Sequence, residues 1–122
     1  MIRISNKLLK KVLEIEITHF AKYDKNIFRC ETPHYRVFIN IYELANKCKE
    51  WALANGYNLW SGYAPKDKKF AVNFYLIKEN IEIDCDESLA DTEVEAIFKA
   101  CEWILKQKLD NSNNIIHRTV GL

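Results

Sequence analysis

Two stretches of the chain carry hydrophobic residues at the spacing of an amphipathic helix. In the first, apolar side chains recur every three or four positions at Ile41, Leu44, Ala45, Cys48, Trp51 and Ala52. In the second, they recur at Val94, Ile97, Phe98, Cys101, Ile104 and Leu105. A favourable N-cap residue precedes each stripe, Asn40 before the first and Asp91 or Thr92 before the second. The pattern predicts two helices, over 41–54 and 92–108.

Short runs that alternate between apolar and polar residues predict a β-meander before the first of these helices. The runs lie within 13–39, and a polar segment and a turn at Pro33 separate them. Proline cannot donate a backbone hydrogen bond and presets a turn, so the last two runs are typical of a hairpin. The beginning is ambiguous, because the first residues also fit a helical stripe. We expect a short helix over 5–12, capped by Ser5, followed by a strand over 13–20.

Alternation returns after the first long helix and predicts three further strands, over 57–63, 70–77 and 81–85. A loop with Pro65 and several lysines separates the first two strands and suits an exposed hairpin. The order of the elements predicts an α+β fold with a mostly antiparallel sheet and two main helices. We expect a single domain over 1–109 and a mobile polar tail over 110–122.

Charge is distributed unevenly, although the net charge of the 122 residues is only +1. Residues 79–95 contain eight Asp or Glu and no Lys or Arg. Side chains alternate along a strand, so the apolar residues of 81–85 are predicted to face the core. The carboxylates of Glu82, Asp84 and Asp86 are then predicted to share the solvent face. The block is either a solvated face or a surface that attracts a basic protein partner, and the residues predicted to bind this partner are Glu79, Glu82, Asp84, Asp86, Glu87 and Asp91.

A second candidate surface combines aromatic and basic side chains around the predicted hairpin. Its residues are Trp60, Tyr63, Lys66, Lys68 and Lys69. Aromatic rings can stack on bases while lysines neutralise phosphates, so this surface is a candidate site for single-stranded nucleic acid. The sequence pI of about 7.6 lies below the range typical of nucleic-acid-binding domains. A lysine-rich loop that serves solubility is therefore the competing interpretation.

The sequence contains no recognisable motif for catalysis or cofactor binding. Its three glycines are scattered and form neither a P-loop nor a dinucleotide-binding loop. The histidines lie in different predicted elements, so even a pair such as Cys30 with His34 lacks an evident orienting group. Glu82, Asp84 and Asp86 could together hold Mg²⁺ or Ca²⁺, which makes a metal-dependent enzyme a second alternative. We predict no catalytic residue, no bound metal and no cofactor.

Cysteine usage and hydropathy indicate a protein of the cytoplasm. The four cysteines match no common zinc spacing and are interpreted as small buried thiols rather than a disulfide framework. No apolar run approaches the roughly 20 residues that a membrane-spanning helix needs. The first residues lack the apolar segment of a secretory signal. We therefore expect no membrane partner.

The chain resembles small phage and prophage domains described as ABA sandwiches in two units, IYELANKCKEWALANGYNLWS at 41–61 and IDCDESLADTEVEAIFKACEWILKQK at 83–108. The resemblance consists mainly of helix caps and core spacing. It implies a small accessory protein of a mobile genetic element, a group that includes anti-CRISPR proteins and other inhibitors of bacterial defence. The resemblance implies this setting rather than a chemistry. Taken together with the acidic block of 79–95, it predicts a non-enzymatic protein of the bacterial cytoplasm that binds and inhibits a basic host protein, such as a nucleic-acid-guided nuclease.

Overall fold

The computed structural model describes residues 3–120, with side chains for 3–110. Within these residues, three helices and six strands follow one another in the order α1 (Asn6–Leu13), β1 (His19–Asp24), β2 (Ile27–Glu31), β3 (Arg36–Asn40), α2 (Ile41–Ala54), β4 (Tyr57–Ala64), β5 (Lys69–Lys78), β6 (Ile81–Ala90) and α3 (Glu93–Val120). All of the described strand pairs are antiparallel. The predicted α+β fold class is confirmed.

Helix α1 begins at the predicted N-cap. The Ser5 hydroxyl oxygen accepts a hydrogen bond from the Leu8 amide at 3.1 Å, which satisfies one of the free amides of the first turn. The same hydroxyl donates a hydrogen bond to the Glu102 carboxylate at 2.7 Å. Ser5 therefore starts one helix and also ties it to α3.

The segment after α1 differs from the prediction. Helix α1 ends at Leu13, and Glu14 adopts a left-handed backbone with φ of 56°. The strand predicted over 13–20 is wrong in its first part, because β1 begins only at His19. Ile17 is buried, so its side chain anchors this irregular segment to the core, although the backbone here is not part of a strand.

Strands β1, β2 and β3 form the first sheet, in that order. This is the predicted meander, confirmed from His19 onward. Phe28 and Cys30 on the central strand are buried, and so is Ile39, which pairs with Phe28. One face of the first sheet therefore packs on the core, and the residues between these positions face away from it.

Helix α2 has the predicted bounds. The Asn40 side-chain oxygen accepts a hydrogen bond from the Tyr42 amide at 2.8 Å and caps the helix. Gly56 follows the helix with φ of 88°, a left-handed conformation that glycine adopts without strain. The buried residues of the helix all belong to the predicted stripe: Ile41, Leu44, Ala45, Cys48 and Ala52.

Strands β4, β5 and β6 form a second sheet, with β5 in the centre. The strands predicted from the sequence thus divide between two sheets of three, because α2 intervenes and β3 does not pair with β4. Strand β6 continues to Ala90 instead of ending at residue 85. Residues 87–90 pair with 70–73 of β5, and this pairing overrides the low strand propensity of their acidic and small side chains.

Helix α3 begins after the predicted cap and runs further than predicted. The Thr92 hydroxyl accepts a hydrogen bond from the Glu95 amide at 3.2 Å. The helix continues to Val120, so the predicted end at residue 108 is wrong. Residues 121–122 and the side chains of 111–120 lie outside the described part of the chain, and the mobility predicted for 110–122 stays a prediction.

The helices join the two sheets through one core. Helix α3 packs on all three strands of the second sheet, α2 packs on α3, β3 and β4, and α1 packs on α2 and α3. Buried apolar residues from both sheets and all three helices form one cluster. The predicted domain bounds of 1–109 stay a prediction. None of the described helices combines the length and apolar character that crossing a membrane requires.

Candidate functional site

The second sheet has one face on the core and one face on solvent. Val72 and Phe74 of the central strand are buried on the side that packs against α3. Side chains alternate along a strand, so Asn73 between them points to the solvent side, which we call the open face of the second sheet. Trp60 of β4 and Glu87 of β6 flank Asn73 in register and lie on the same face.

The next row of the register extends this face. Asn58, Tyr75 and Asp84 lie side by side across the three strands. The Asn58 side-chain amide donates a hydrogen bond to the Glu82 carboxylate at 2.9 Å. Because Asn58 lies on β4 and Glu82 on β6, this bond crosses β5 and places both side chains on the open face. Three carboxylates of β6 therefore share the face, and we call Glu82, Asp84 and Glu87 the acidic strip.

A β-bulge in β6 decides which carboxylates belong to the strip. Asp84 and Asp86 pair with adjacent residues of β5, which leaves Cys85 as the extra residue. Asp86 thus lies in the core-facing register, although its side chain is exposed. The prediction that Asp86 shares a face with Glu82 and Asp84 is wrong, because the bulge reverses the alternation and brings Glu87 onto the open face instead.

The tip of the β5–β6 hairpin is exposed to solvent. Glu79 and Asn80 form its turn with left-handed φ values of 54° and 65°, as a type I′ turn requires. Ile81 and Ile83 lie in the core-facing register but remain largely exposed. The predicted facing of these two side chains is confirmed, but they are not buried, because alternation sets the face of a side chain and not whether another element covers it.

Most of the carboxylates predicted to bind a partner have no basic partner among the described side chains. Asp91 is the exception, because its carboxylate accepts a hydrogen bond from the Lys69 ammonium group. This hydrogen bond and the opposite charge lower the pKa of Asp91 and raise the pKa of Lys69. Within residues 3–110, no ion pair involves the other five residues of the predicted site, which are Glu79, Glu82, Asp84, Asp86 and Glu87.

The two aromatic residues predicted to bind nucleic acid lie on different faces of β4. Trp60 is on the open face, whereas Tyr63 pairs with Phe70 in the core-facing register, and their ring centroids lie 5.3 Å apart. Lys69 is already in an ion pair. The β4–β5 loop carries the remaining predicted residues, Lys66 and Lys68. These five residues form no continuous stacking surface, and nucleic-acid binding by them stays a prediction.

No metal centre is evident in the described side chains. Within residues 3–110, no group of three or more His, Cys, Asp and Glu side chains could hold an ion. The bulge also separates Asp86 from Glu82 and Asp84, so these carboxylates do not converge as a metal-dependent enzyme would require.

The cysteines are free thiols, and Cys30, Cys48 and Cys101 are buried as predicted. Cys85 is half-buried against the core. Burial raises the pKa of Cys30, and a hydrogen bond with Cys48 together with burial raises the pKa of Cys101. A thiol with a raised pKa stays protonated at neutral pH and is not an activated nucleophile.

Trp60 and Glu87 share a row of the open face, which the sequence does not reveal. From the sequence we group Trp60 with the lysines of the following loop, whereas the register places it beside Asn73 and in line with Glu87. No local pattern connects these residues, because the pairing of three strands sets their positions. The open face therefore combines an exposed aromatic ring with the acidic strip.

No protein-family model, curated protein or solved structure matches this chain. No residue role is therefore transferred from another protein. What the chain can do is inferred from the chemistry of its exposed faces.

Proposed function

We propose that this chain is a non-enzymatic binding protein that docks the open face of its second sheet on a basic surface of a partner protein. The observation that carries the proposal is the acidic strip, whose three carboxylates share one face without an ion pair among the described side chains. Two unit charges about 7 Å apart repel each other by roughly 0.6 kcal/mol in water before salt screening. Folding alone gains nothing from that repulsion, and a basic partner would replace it with attraction.

Trp60 supplies an apolar anchor on the same face. Its side chain is 57% exposed, although tryptophan is highly buried on average. Tryptophan is enriched among the residues that dominate the free energy of protein–protein binding. Trp60 lies in register with Asn73 and Glu87, so a partner that covers the ring also meets the acidic strip.

The partner chemistry that fits best is a protein surface that binds nucleic acid. Such surfaces present Lys and Arg to phosphates, and a row of carboxylates can occupy the same groove. The proposal extends to a nucleic-acid-guided defence nuclease of a bacterial host, inhibited in the cytoplasm by occlusion of its groove. The resemblance of 41–61 and 83–108 to phage domains and anti-CRISPR-type proteins supports this setting.

A matched pair of charge reversals tests the proposal once capture from a bacterial lysate has identified the partner. Asp84→Lys and Asp86→Lys make the same chemical change two positions apart on one strand, but on opposite faces. We expect Asp84→Lys to weaken binding about tenfold, or about 1.4 kcal/mol, because it inverts a charge within the interface. Asp86→Lys should have a much smaller effect, since it alters only the long-range field. Isothermal titration calorimetry measures both.

Salt and inhibition assays separate binding from its consequence. Added salt should weaken binding of the natural protein and reduce the difference between the two variants. Equal losses for both variants would contradict docking through the open face. If the partner is a nuclease, saturating protein should block cleavage of its nucleic acid, and undiminished cleavage would refute inhibition while leaving the binding result intact.

A further inference from the structure

The first sheet also has a face on solvent, and its chemistry is different. Phe28 and Cys30 of β2 are buried in the core, so Arg29 between them points away from it. Phe38 of β3 pairs with Arg29 and lies on the same side. Tyr23 lies at the bulge of β1, and its contact with the Phe38 ring places it on this face as well.

The rings of Tyr23 and Phe38 meet over the central strand. Their centroids lie 4.9 Å apart, with an angle of 65° between the ring planes. Strands β1 and β3 are not neighbours, so this contact crosses β2, where Arg29 is the residue paired with Phe38. The Arg29 Nε is buried and has no hydrogen-bond partner among the described atoms. Tyr23 and Phe38 remain 62% and 52% exposed, respectively.

Two guanidinium groups on this face share one carboxylate. The Nε atoms of Arg29 and Arg36 lie 3.6 Å and 3.9 Å from the same Glu31 oxygen. One positive charge therefore remains in excess. The surrounding sequence is also basic, since residues 1–40 hold eight Lys or Arg and four Asp or Glu. We call Tyr23, Arg29, Arg36 and Phe38 the aromatic–arginine face.

We propose that the aromatic–arginine face binds single-stranded nucleic acid, with bases stacked on Tyr23 and Phe38 and phosphates held by Arg29 and Arg36. Exposed rings on a sheet accept any base, because every base has a π-face. Guanidinium groups are weakly hydrated and donate two hydrogen bonds at once to a phosphate. A duplex does not expose its base faces, so the ligand is single-stranded. This site shares no residue with the open face of the second sheet and stands independently of the function proposed for it.

Other occupants would use only part of this face. An acidic peptide would pair with the arginines but would offer no flat surfaces to the two rings. An apolar peptide would cover the rings but leave the excess positive charge without a partner. Single-stranded nucleic acid supplies planar bases and phosphates together.

Fluorescence anisotropy with labelled oligothymidylate and oligouridylate tests the proposal. Chains of about 12 nucleotides are long enough to span such a surface. At physiological salt we expect dissociation constants of roughly 1–100 μM, the range of sequence-independent binding, and tighter binding at about 50 mM salt. Tighter binding of oligouridylate would show that the site also reads the 2′-hydroxyl, and equal binding would show stacking and phosphate contacts alone. Either result supports the proposal.

Substitutions on the two sheets locate the site. Phe38→Ala and Tyr23→Ala should each weaken binding about tenfold through lost stacking. Phe38→Tyr should bind with the affinity of the natural protein, because the aromatic ring is kept. Arg36→Gln should weaken binding and reduce the dependence of the logarithm of affinity on the logarithm of salt by about 0.7, the contribution of one phosphate contact on a single strand. Trp60→Ala is the matched control, since it removes a similarly exposed ring from the second sheet, and it should leave affinity unchanged.

Three results would overturn the proposal. The first is no binding of either oligonucleotide at about 100 μM protein. The second is a loss in Trp60→Ala as large as in Phe38→Ala, which would move the site to the second sheet. The third is tighter binding of polyglutamate than of the oligonucleotides, which would assign the face to an acidic protein partner. Every substituted side chain is exposed, and an unchanged unfolding midpoint verifies that each variant is folded.

Discussion

The two sheets are built alike and differ in what they expose. Each has three antiparallel strands in chain order, with one face in the shared core. The first sheet exposes Tyr23 and Phe38 beside two arginines, whereas the second exposes Trp60 beside three carboxylates. A chain with a net charge of only +1 therefore presents two surfaces of opposite sign.

The difference lies on the solvent faces because packing constrains only the core faces. Phe28 in the first sheet and Phe74 in the second are both buried in one cluster, where close packing demands apolar side chains. Substitutions at exposed positions usually change the free energy of unfolding by no more than about 0.5 kcal/mol. Charge and aromatic content on the solvent faces are thus nearly independent of folding and can differ as binding requires.

The largest expected effect tests whether the two sheets form one cooperative unit. Phe74→Ala in the second sheet and Phe28→Ala in the first should each lower the free energy of unfolding by about 3–5 kcal/mol, because each leaves a cavity in the common core. Denaturant titration followed by circular dichroism measures the loss. Hydrogen exchange should show faster opening of β2 and β5 together in both variants.

Exposed Phe38 supplies the control for that prediction. Phe38→Ala should change the free energy of unfolding by only about 0.5 kcal/mol, since its ring lies on the solvent face. If Phe74→Ala accelerates exchange in β5 while β2 keeps its protection, the two sheets are separate units and do not share one core.

A smaller effect is expected from neutralising carboxylates, which should change the free energy of unfolding in opposite directions on the two sheets. Asp84→Asn with Glu87→Gln should raise the free energy of unfolding by about 0.2–0.5 kcal/mol at low salt, because it removes like-charge repulsion. Glu31→Gln should lower it by about 0.2–1 kcal/mol, since Glu31 lies between two arginines. Thermal unfolding at low and high salt measures both, and each change should shrink as salt is added. If the variant with Asp84→Asn and Glu87→Gln were also less stable than the natural protein, the carboxylates of β6 would make favourable interactions in the folded state.

The smallest expected effect concerns the exposed pair of Lys69 and Asp91. Lys69 lowers the pKa of Asp91, so the folded protein binds this proton less readily than the unfolded chain does. The resulting stability is present above the unfolded pKa and is lost as the pH falls through the lowered pKa. Asp91→Asn should therefore unfold at a slightly lower temperature than the natural protein at neutral pH, and the difference should vanish in acid. A difference that grew on acidification would contradict this linkage.

Helix α2 shows how far local sequence information extends. Its start at Asn40, its apolar stripe and its end before Gly56 all lie within one continuous segment, and the structure confirms them. Each signal acts between residues no more than four positions apart, so no distant contact is needed to interpret it.

Strand β6 shows where local information fails. Its alternation predicts Asp86 on the same face as Asp84, but the bulge at Cys85 reverses the faces. The strand also continues to Ala90, because β5 offers pairing partners that the sequence of β6 does not reveal. Strand length and register depend on the neighbouring strand, which lies elsewhere in the chain.

The sequence by itself determined the fold class, the helix starts, much of the core and the acidic excess of 79–95. Only the tertiary structure decided that Trp60 shares a face with the acidic strip, that Asp86 does not, and that the rings of Tyr23 and Phe38 meet across β2. Caps and periodicity act along the chain, whereas strand pairing brings together residues that are far apart in it. A single extra residue in one strand then changes the face of every side chain that follows.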